Sequence, residues 1–288
     1  MIANYGNHVL VEGDDGSIHS CVLIGRRLKC VCGDHVRWSP TPDGAAVAAV
    51  EPRRSELLRH DRRGGARVIA ANIDLMVVVC AARPEPDPGL IDRYCVGAEV
   101  MGLGVLIVFN KADLLPANAR APMSESIVGE FRPLGYDTLG VSAHRGTGMS
   151  LLRRHLAGRT SVFVGPSGVG KSSLVNALVP HLDARTAALS TANGEGRHTT
   201  TATHLYRLPA GAGCVIDSPG VRDFRLWPMS ERDIAGGFRE IRTASARCRF
   251  DDCRHLAEPG CAVREAVAGG HISPRRYESY RLLTRHVP

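Results

Sequence analysis

Short runs of alternating apolar and polar residues open the chain, and each run is separated from the next by turn residues. The runs cover residues 8–12, 20–24, 33–38 and 46–50. Short strands at such close spacing predict a small β-barrel or sandwich, and we expect an OB-like barrel over residues 1–65. The arginine-rich stretch 53–65 at its end, which also carries Gly64 and Gly65, is expected to be a solvated linker or an RNA-facing strip.

The pattern changes beyond this stretch. Residues 74–80, 105–109 and 161–164 are continuous apolar runs, which is typical of strands buried on both faces of a parallel sheet. A helical stretch around 90–101 separates the first two. Residues 66–230 therefore predict an α/β doubly wound domain. Residues 231–288 are rich in arginine and predicted to be helical, with Ser273-Pro274 opening the last helix.

Composition narrows the class of protein. The 288 residues include 36 Lys and Arg against 29 Asp and Glu, so the net charge of +7 favours an anionic partner. Nine cysteines, an odd number without a preceding signal peptide, favour thiols in a reducing cytoplasm over a disulfide framework. No apolar run approaches the roughly 20 residues needed to span a bilayer, so we expect a soluble protein without a membrane partner.

One segment has the form of a phosphate-binding loop between a buried strand and a helix. Its glycines allow backbone N–H groups to surround phosphate oxygens at a helix N-terminus, while Lys171 reaches the β and γ phosphates and Ser172 coordinates Mg²⁺. Only three lysines occur in the chain, and Lys171 is one of them. The expected contacts are Gly165, Pro166, Ser167, Gly168, Val169, Gly170, Lys171 and Ser172, with Ser173 at the α phosphate.

A guanine-reading motif, Asn110-Lys111-Ala112-Asp113, precedes the phosphate loop. Asp113 can accept hydrogen bonds from the N1–H and 2-amino groups of guanine, which adenine does not offer at those positions. Ser142 and Ala143, at the end of the next predicted strand, match the small-residue loop behind the base. A conventional GTPase has these motifs in the opposite order, so the domain is predicted to be circularly permuted.

Two further segments complete the expected nucleotide site. Asp217-Ser218-Pro219-Gly220 follows a buried strand; Asp217 would hold Mg²⁺ through water, and the Gly220 N–H would sense the γ phosphate. The glycine-flanked stretch 194–201 is expected to supply a threonine to Mg²⁺, with Thr200 favoured and its two threonine neighbours left open. Because the chain runs from Gly220 almost directly into the C-terminal domain, permutation is predicted to link the γ-phosphate sensor to that domain.

A cluster of thiols and an imidazole lies near the C-terminus. Cys248, Cys253, His255 and Cys261 supply four soft ligands within fourteen residues, and Pro259-Gly260 turns the chain between them. Such a set suits one structural Zn²⁺ ion in tetrahedral coordination. Cys30 and Cys32 cannot form a complete metal site alone and are expected in strands.

Together these motifs resemble the RsgA (YjeQ) family of small ribosomal subunit biogenesis GTPases, over essentially the whole chain. The resemblance implies GTP hydrolysis stimulated by the small (30S) subunit, binding to its 16S rRNA, late maturation of that particle, and zinc at all four cluster positions. Val221 stands where many GTPases carry a water-orienting glutamine, so intrinsic hydrolysis should be slow. His198 is the candidate catalytic group, both from its place in the threonine loop and from the resemblance. We expect a monomer.

Two alternatives remain open from the sequence. The first is a GTP-gated RNA-binding assembly factor whose negligible turnover only times its release. The second is a P-loop kinase or ATPase, which competition between ATP and GTP would distinguish.

Overall fold

The computed structural model describes residues 1–6, 8–25, 28–42, 44–60, 66–114, 129–179, 203–217 and 229–285. Within these ranges, eleven strands form one continuous sheet and two more form a separate hairpin. No helix in this part of the chain combines the length and the apolar character needed to cross a bilayer.

The N-terminal strands build the predicted OB-like barrel. They run in the order β1–β2–β3–β5–β4, with β3 and β5 parallel and the other pairs antiparallel, which is the five-stranded Greek-key arrangement of that fold. Val9, Cys21 and Val47 are fully buried in its core. The strands are β1 (Ala3–Asn4), β2 (His8–Glu12), β3 (Ile18–Leu23), β4 (Val36–Thr41) and β5 (Gly44–Val50).

Two expectations for this region are wrong. The arginine-rich stretch is not a linker, because β6 (Glu56–His60) and β7 (Ala66–Ala71) pair as an antiparallel hairpin. Apolar positions in both arms, such as Leu57 and Ala70, pack into the core of the α/β domain, which the density of arginines in the sequence concealed. Cys30 and Cys32 lie outside the named strands, although both are buried and Cys32 forms an isolated bridge to Ala70.

The central domain is the predicted doubly wound sheet, in the order β10–β9–β8–β11–β13–β12. All neighbouring pairs are parallel except β12–β13. Helices α1 (Pro88–Val100), α2 (Met149–Leu156) and α3 (Lys171–Leu178) cover its faces. The strands are β8 (Leu75–Ala81), β9 (Gly104–Asn110), β10 (Asp137–Gly140), β11 (Thr160–Val164), β12 (His204–Arg207) and β13 (Cys214–Asp217).

Four short helices form the C-terminal domain over residues 229–285, the part that the structure describes. Ser230 starts the first with a capping box, in which its hydroxyl accepts from the Asp233 N–H, and Pro274 begins the last helix as the sequence predicts. The core of this domain includes Val96 of α1, so the domain packs directly on the central one. The helices are α4 (Glu231–Gly237), α5 (Arg239–Ser245), α6 (Ala262–Ala268) and α7 (Pro274–Arg285).

A buried ionic cluster fixes this docking. Asp92 of α1 is inaccessible to solvent and accepts hydrogen bonds from Arg275 Nη1 and Arg276 Nη1 of α7, both at 2.6 Å. Arg276, itself only 1% exposed, also donates through Nη2 to Glu240 of α5 at 3.0 Å. Its guanidinium lies 4.9 Å from the ring centroid of Phe238. Every charge in the cluster is paired, which is the condition under which buried ions are tolerated.

Strand β12 joins the barrel to the central domain. It pairs with β13 on one side and with β1 on the other, and the Leu205 N–H donates to the Ile2 carbonyl at 2.8 Å. Arg207 forms a 2.6 Å ion pair with Glu12 of the barrel. The barrel is therefore attached to the edge of the central sheet next to Asp217.

Candidate nucleotide site and metal centre

The phosphate loop occupies the turn between β11 and α3. Gly165 and Gly170 have φ values of +139° and +92°, and a Cβ at Gly165 would lie 2.2 Å from the Val79 carbonyl oxygen. Glycine is therefore required at Gly165. Lys171 Nζ donates to the carbonyl oxygens of Gly165 at 2.7 Å and Pro166 at 2.8 Å. The ammonium is thus held inside the loop, where it can meet a phosphate at the N-terminus of α3.

Asn110, the last residue of β9, connects three loops of the site. Its Nδ2 donates to the Val169 carbonyl in the phosphate loop at 2.9 Å, and its Oδ1 accepts from the Ala143 N–H at 3.3 Å. The side chain is 1% exposed. A Cβ at Gly170 would lie 2.4 Å from Asn110 Nδ2, so the close approach of the two loops also depends on this glycine. Asn110 therefore fixes the reading motif against the phosphate loop.

Asp113 is held by the serine of the next loop. A hydrogen bond from the Ser142 hydroxyl holds the pKa of the Asp113 carboxyl below its ordinary value. Ser142 Oγ also accepts from the Arg145 N–H at 3.0 Å, which fixes the hydroxyl. The structure thus brings together Asp113 and Ser142, both of which are predicted at the base, and the hydrogen bond favours the ionised carboxylate.

The position of Lys111 involves a segment that sequence reasoning missed. Lys111 has a left-handed backbone, with φ of +59°, and its Nζ donates to the Gly168 carbonyl at 2.5 Å and the Arg83 carbonyl at 3.2 Å. Pro84 approaches the phosphate loop as well, since a Cβ added at Gly168 would lie 3.6 Å from Pro84 Cδ. The sequence signal for this segment is a set of three alternating prolines, at positions 84, 86 and 88, shortly after a buried strand.

Asp217 lies at the end of β13, just beyond the residues that pair with the phosphate-loop strand. Its β12 partner in the antiparallel register is His204. Burial lowers the pKa of His204, and the Asp217 charge acts in the opposite direction. His198, Thr200 and Gly220 lie outside the described residues, so their predicted roles remain predictions.

The four predicted metal ligands converge. One ligand atom from each of Cys248, Cys253, His255 and Cys261 lies within 4.8 Å of every other. His255 Nδ1 is 3.6 Å from the Sγ atoms of both Cys248 and Cys261. Zn–S bonds of about 2.3 Å and Zn–N bonds of about 2.0–2.1 Å in a tetrahedron give sulfur–nitrogen edges of about 3.6 Å. The residues therefore fit a structural zinc ion, with Nδ1 as the imidazole ligand.

The surroundings of this cluster also suit a metal. Burial lowers the pKa of His255, which favours the neutral imidazole that a metal needs, and burial raises the pKa of the Cys253 thiol to about 12. A bound cation offsets that cost by stabilising the thiolate. Glu258 accepts N–H bonds from Arg254, Leu256 and Ala257 at 2.8–3.0 Å and thereby organises the loop between the ligands.

The phosphate loop and the Asn-Lys-x-Asp motif lie on one doubly wound sheet and are joined through Asn110. Their order along the chain is the reverse of that in a conventional GTPase. These features define a circularly permuted P-loop GTPase. The family model of the RsgA GTPase matches residues 50–227. This match covers more than half of the chain and shows that the protein belongs to the RsgA GTPase family.

Curated relatives extend the similarity over the whole chain. The small ribosomal subunit biogenesis GTPase RsgA of Pseudomonas aeruginosa is 46% identical over 289 residues, covering 100% of this chain and 85% of the relative. The protein of the same name from Azotobacter vinelandii is 45% identical, with the same coverage of both chains.

Solved structures agree with the fold. YjeQ from Thermotoga maritima superposes with a TM-score of 0.81 at 30% identity, covering 99% of this chain and 96% of its own. YloQ, described as a circularly permuted GTPase, gives a TM-score of 0.76 at 28% identity, with 99% and 93% coverage. The permutation predicted from motif order is confirmed.

Proposed function

We propose that this protein hydrolyses GTP to GDP and phosphate while assisting the late maturation of the small ribosomal subunit. The relatives named small ribosomal subunit biogenesis GTPase support the biological role. The observation that carries the nucleotide assignment is the bond from Asn110 Nδ2 to the Val169 carbonyl, 2.9 Å long. It joins the reading motif to the phosphate loop, so one ligand can contact both.

The chemistry is divided among the residues of the site. Asp113, with Ser142 and Ala143 behind it, selects guanine, and Lys171 neutralises phosphate charge. Mg²⁺, when bound, would stabilise negative charge on the phosphates; Ser172 and Thr200 are its proposed ligands, and Asp217 would hold it through water. His198 is the proposed group for positioning the attacking water. The remaining contacts are those of the phosphate loop from Gly165 to Ser173, with Asn110, Lys111 and Gly220.

The flanking domains are proposed to hold the ribosome. We propose a barrel over residues 1–65, a GTPase domain over 66–230 and a zinc domain over 231–288, with the β6–β7 hairpin packing on the GTPase domain across the first boundary. The net charge of +7 favours binding to 16S rRNA, through phosphate contacts that weaken with salt. One zinc ion at Cys248, Cys253, His255 and Cys261 would have a structural role. A monomer in the cytoplasm fits this assignment.

Two measurements test the nucleotide and enzyme assignments. Unlabelled GTP should displace a fluorescent GDP analogue at concentrations at least ~100-fold lower than ATP, because adenine leaves the Asp113 carboxylate unpaired. Equal competition would contradict the guanine assignment. GTP turnover should rise strongly when small subunits are added; an unchanged rate with nucleotide-dependent subunit binding intact would instead support the GTP-gated assembly factor.

The catalytic assignment has its own test. His198→Ala should lose subunit-stimulated turnover while keeping GTP affinity, since the proposed role concerns water and not nucleotide binding. Stimulation equal to wild type in this variant would remove His198 from the mechanism.

A further inference from the structure

A histidine lies at the junction between the barrel and the nucleotide site. His204 of β12 pairs directly with Ala3 of the barrel strand β1 and with Asp217 of β13. Directly opposed residues in antiparallel pairs share one face of the sheet, with Cβ atoms about 4.5–5.5 Å apart. The His204 and Asp217 side chains are therefore neighbours on the same face, in one row with Ala3.

Two tyrosines hold the imidazole in place. The Tyr5 ring, from the segment just after β1, meets it edge to face with centroids 5.7 Å apart. Tyr206, two residues along β12 and 4% exposed, stacks on it with centroids 5.9 Å apart. Contacts of both kinds restrict the ring's orientation. The barrel thus contributes one of the two side chains that fix His204.

The imidazole nevertheless has an unused polar atom. His204 Nδ1 is buried and has no hydrogen-bond partner among the residues that the structure describes, and the same holds for the nearby Tyr5 hydroxyl. Leaving a buried polar group without a hydrogen-bond partner is unfavourable. An apolar side chain would fill the same space without that cost, so packing alone does not explain a histidine here.

We propose that His204 is a positioning residue for Asp217, orienting its carboxylate toward Mg²⁺ in the nucleotide-bound state. This role rests on the proposed function, in which the Asp217 carboxylate holds Mg²⁺ through water. Carboxylates that serve a metal are themselves hydrogen-bonded by neighbouring groups, and loss of such a partner typically weakens metal binding about 10–100-fold. His204 is adjacent to Asp217, its Nδ1 has no partner among the described residues, and Tyr5 holds its ring in place. Through Tyr5, the barrel helps to set the geometry of the magnesium site.

The test measures metal dependence instead of turnover. A fluorescent GDP analogue is bound to the full-length protein, and its retention is followed as Mg²⁺ is titrated, in the wild type and in His204→Phe. Phenylalanine keeps the ring and its contacts but removes the nitrogens. We expect the Mg²⁺ concentration at half-maximal retention to rise about tenfold or more, with nucleotide binding restored in excess Mg²⁺.

Two further variants separate positioning from packing. His204→Asn, whose Nδ2 donor replaces Nδ1 on a shorter side chain, should recover most of the shift and also serves if His204→Phe does not fold. Arg207→Gln is the matched control, because Arg207 lies on the same strand as His204. The substitution removes the ion pair to Glu12 of the barrel and should leave the Mg²⁺ midpoint within about twofold of wild type.

The outcomes separate this role from the proposed function. A wild-type midpoint shared by His204→Phe, or a shift of equal size in Arg207→Gln, would overturn the positioning role while leaving the GTPase assignment intact. If nucleotide retention by the wild-type protein does not depend on Mg²⁺ concentration, that result would contradict the magnesium site itself, and the positioning role with it.

Discussion

The docking of the C-terminal domain depends on Arg276, and replacing this residue gives a sharp test of the fold. Arg276→Met keeps a long side chain between the rings of Phe131 and Phe238 but removes the charge. Glu240 then loses its guanidinium partner, and Asp92, which is inaccessible to solvent, retains only Arg275 among its described partners.

The expected effect is large because the charges left behind stay buried. Removing one partner of a buried ion pair typically costs about 3–5 kcal/mol, whereas exposed pairs contribute about 0–1 kcal/mol. A loss of about 3–5 kcal/mol lowers the folding equilibrium constant by about 150- to 5000-fold. The same helix supplies a control: Arg281 pairs with Glu278, and their side chains are 38% and 46% exposed. Arg281→Met should cost less than about 1 kcal/mol.

Urea unfolding of zinc-loaded protein, followed by circular dichroism, measures the difference. The Arg276→Met midpoint should fall well below that of Arg281→Met, which should remain close to wild type. Two variants within about 1 kcal/mol of each other would refute the idea that this cluster holds the domain. A double variant, Asp92→Leu with Arg276→Met, should recover part of the loss, because well-packed apolar residues often replace buried ions without cost.

Three other changes probe the nucleotide site and the metal centre. Asp113→Asn should lower GTP affinity by about 100-fold or more and favour xanthosine triphosphate, since the amide offers a donor to the new base oxygen; competition against a fluorescent GDP analogue measures this, and unchanged GTP preference would exclude Asp113 as the reader. Gly170→Ala should abolish nucleotide binding in the same assay, because the added Cβ would lie 2.4 Å from Asn110 Nδ2; normal affinity would contradict this loop geometry. Zinc removal by a chelator should lower the melting temperature of the C-terminal helices and release about one metal equivalent, and Cys261→Ser should have the same effect. Calorimetry measures the melting temperature and metal analysis the zinc content; an unchanged melting temperature after zinc loss would contradict a structural role for the metal.

Local chemistry made much of the nucleotide site predictable. The phosphate loop needs glycines at fixed positions followed by lysine, and the sequence around Gly165 and Lys171 meets that need between a strand and a helix. Asp113 and Ser142 come together because their strands, β9 and β10, are adjacent and parallel. The convergence of the four predicted metal ligands was equally predictable, because four soft side chains within a short segment suit a metal site.

Interactions between distant segments were not predictable in the same way. The pairing of β6 with β7 depends on apolar positions hidden among arginines, and charge alone favoured a linker. Arg276 and Asp92 are separated by 184 residues, and in the sequence each is a charged residue of the kind that usually lies on the surface. The row formed by Ala3, His204 and Asp217 needs strands from two domains in register. Such contacts are set by tertiary packing, for which no local pattern exists.

The position of the chain ends in the sheet explains what permutation does. The chain passes from the barrel through the β6–β7 hairpin into β8, and it leaves the sheet after β13 for the C-terminal domain. In space, β8 and β13 are the two strands on either side of β11, which ends in the phosphate loop. The sequence suggested a link from the end of β13 to the zinc domain alone. That domain also packs on α1, the helix that connects β8 to β9, and the barrel pairs with β12 beside Asp217. Both flanking domains therefore contact the GTPase domain, one through α1 and the other through β12. A conventional order would begin the domain at β11 and leave neither neighbouring strand covalently joined to a flanking domain.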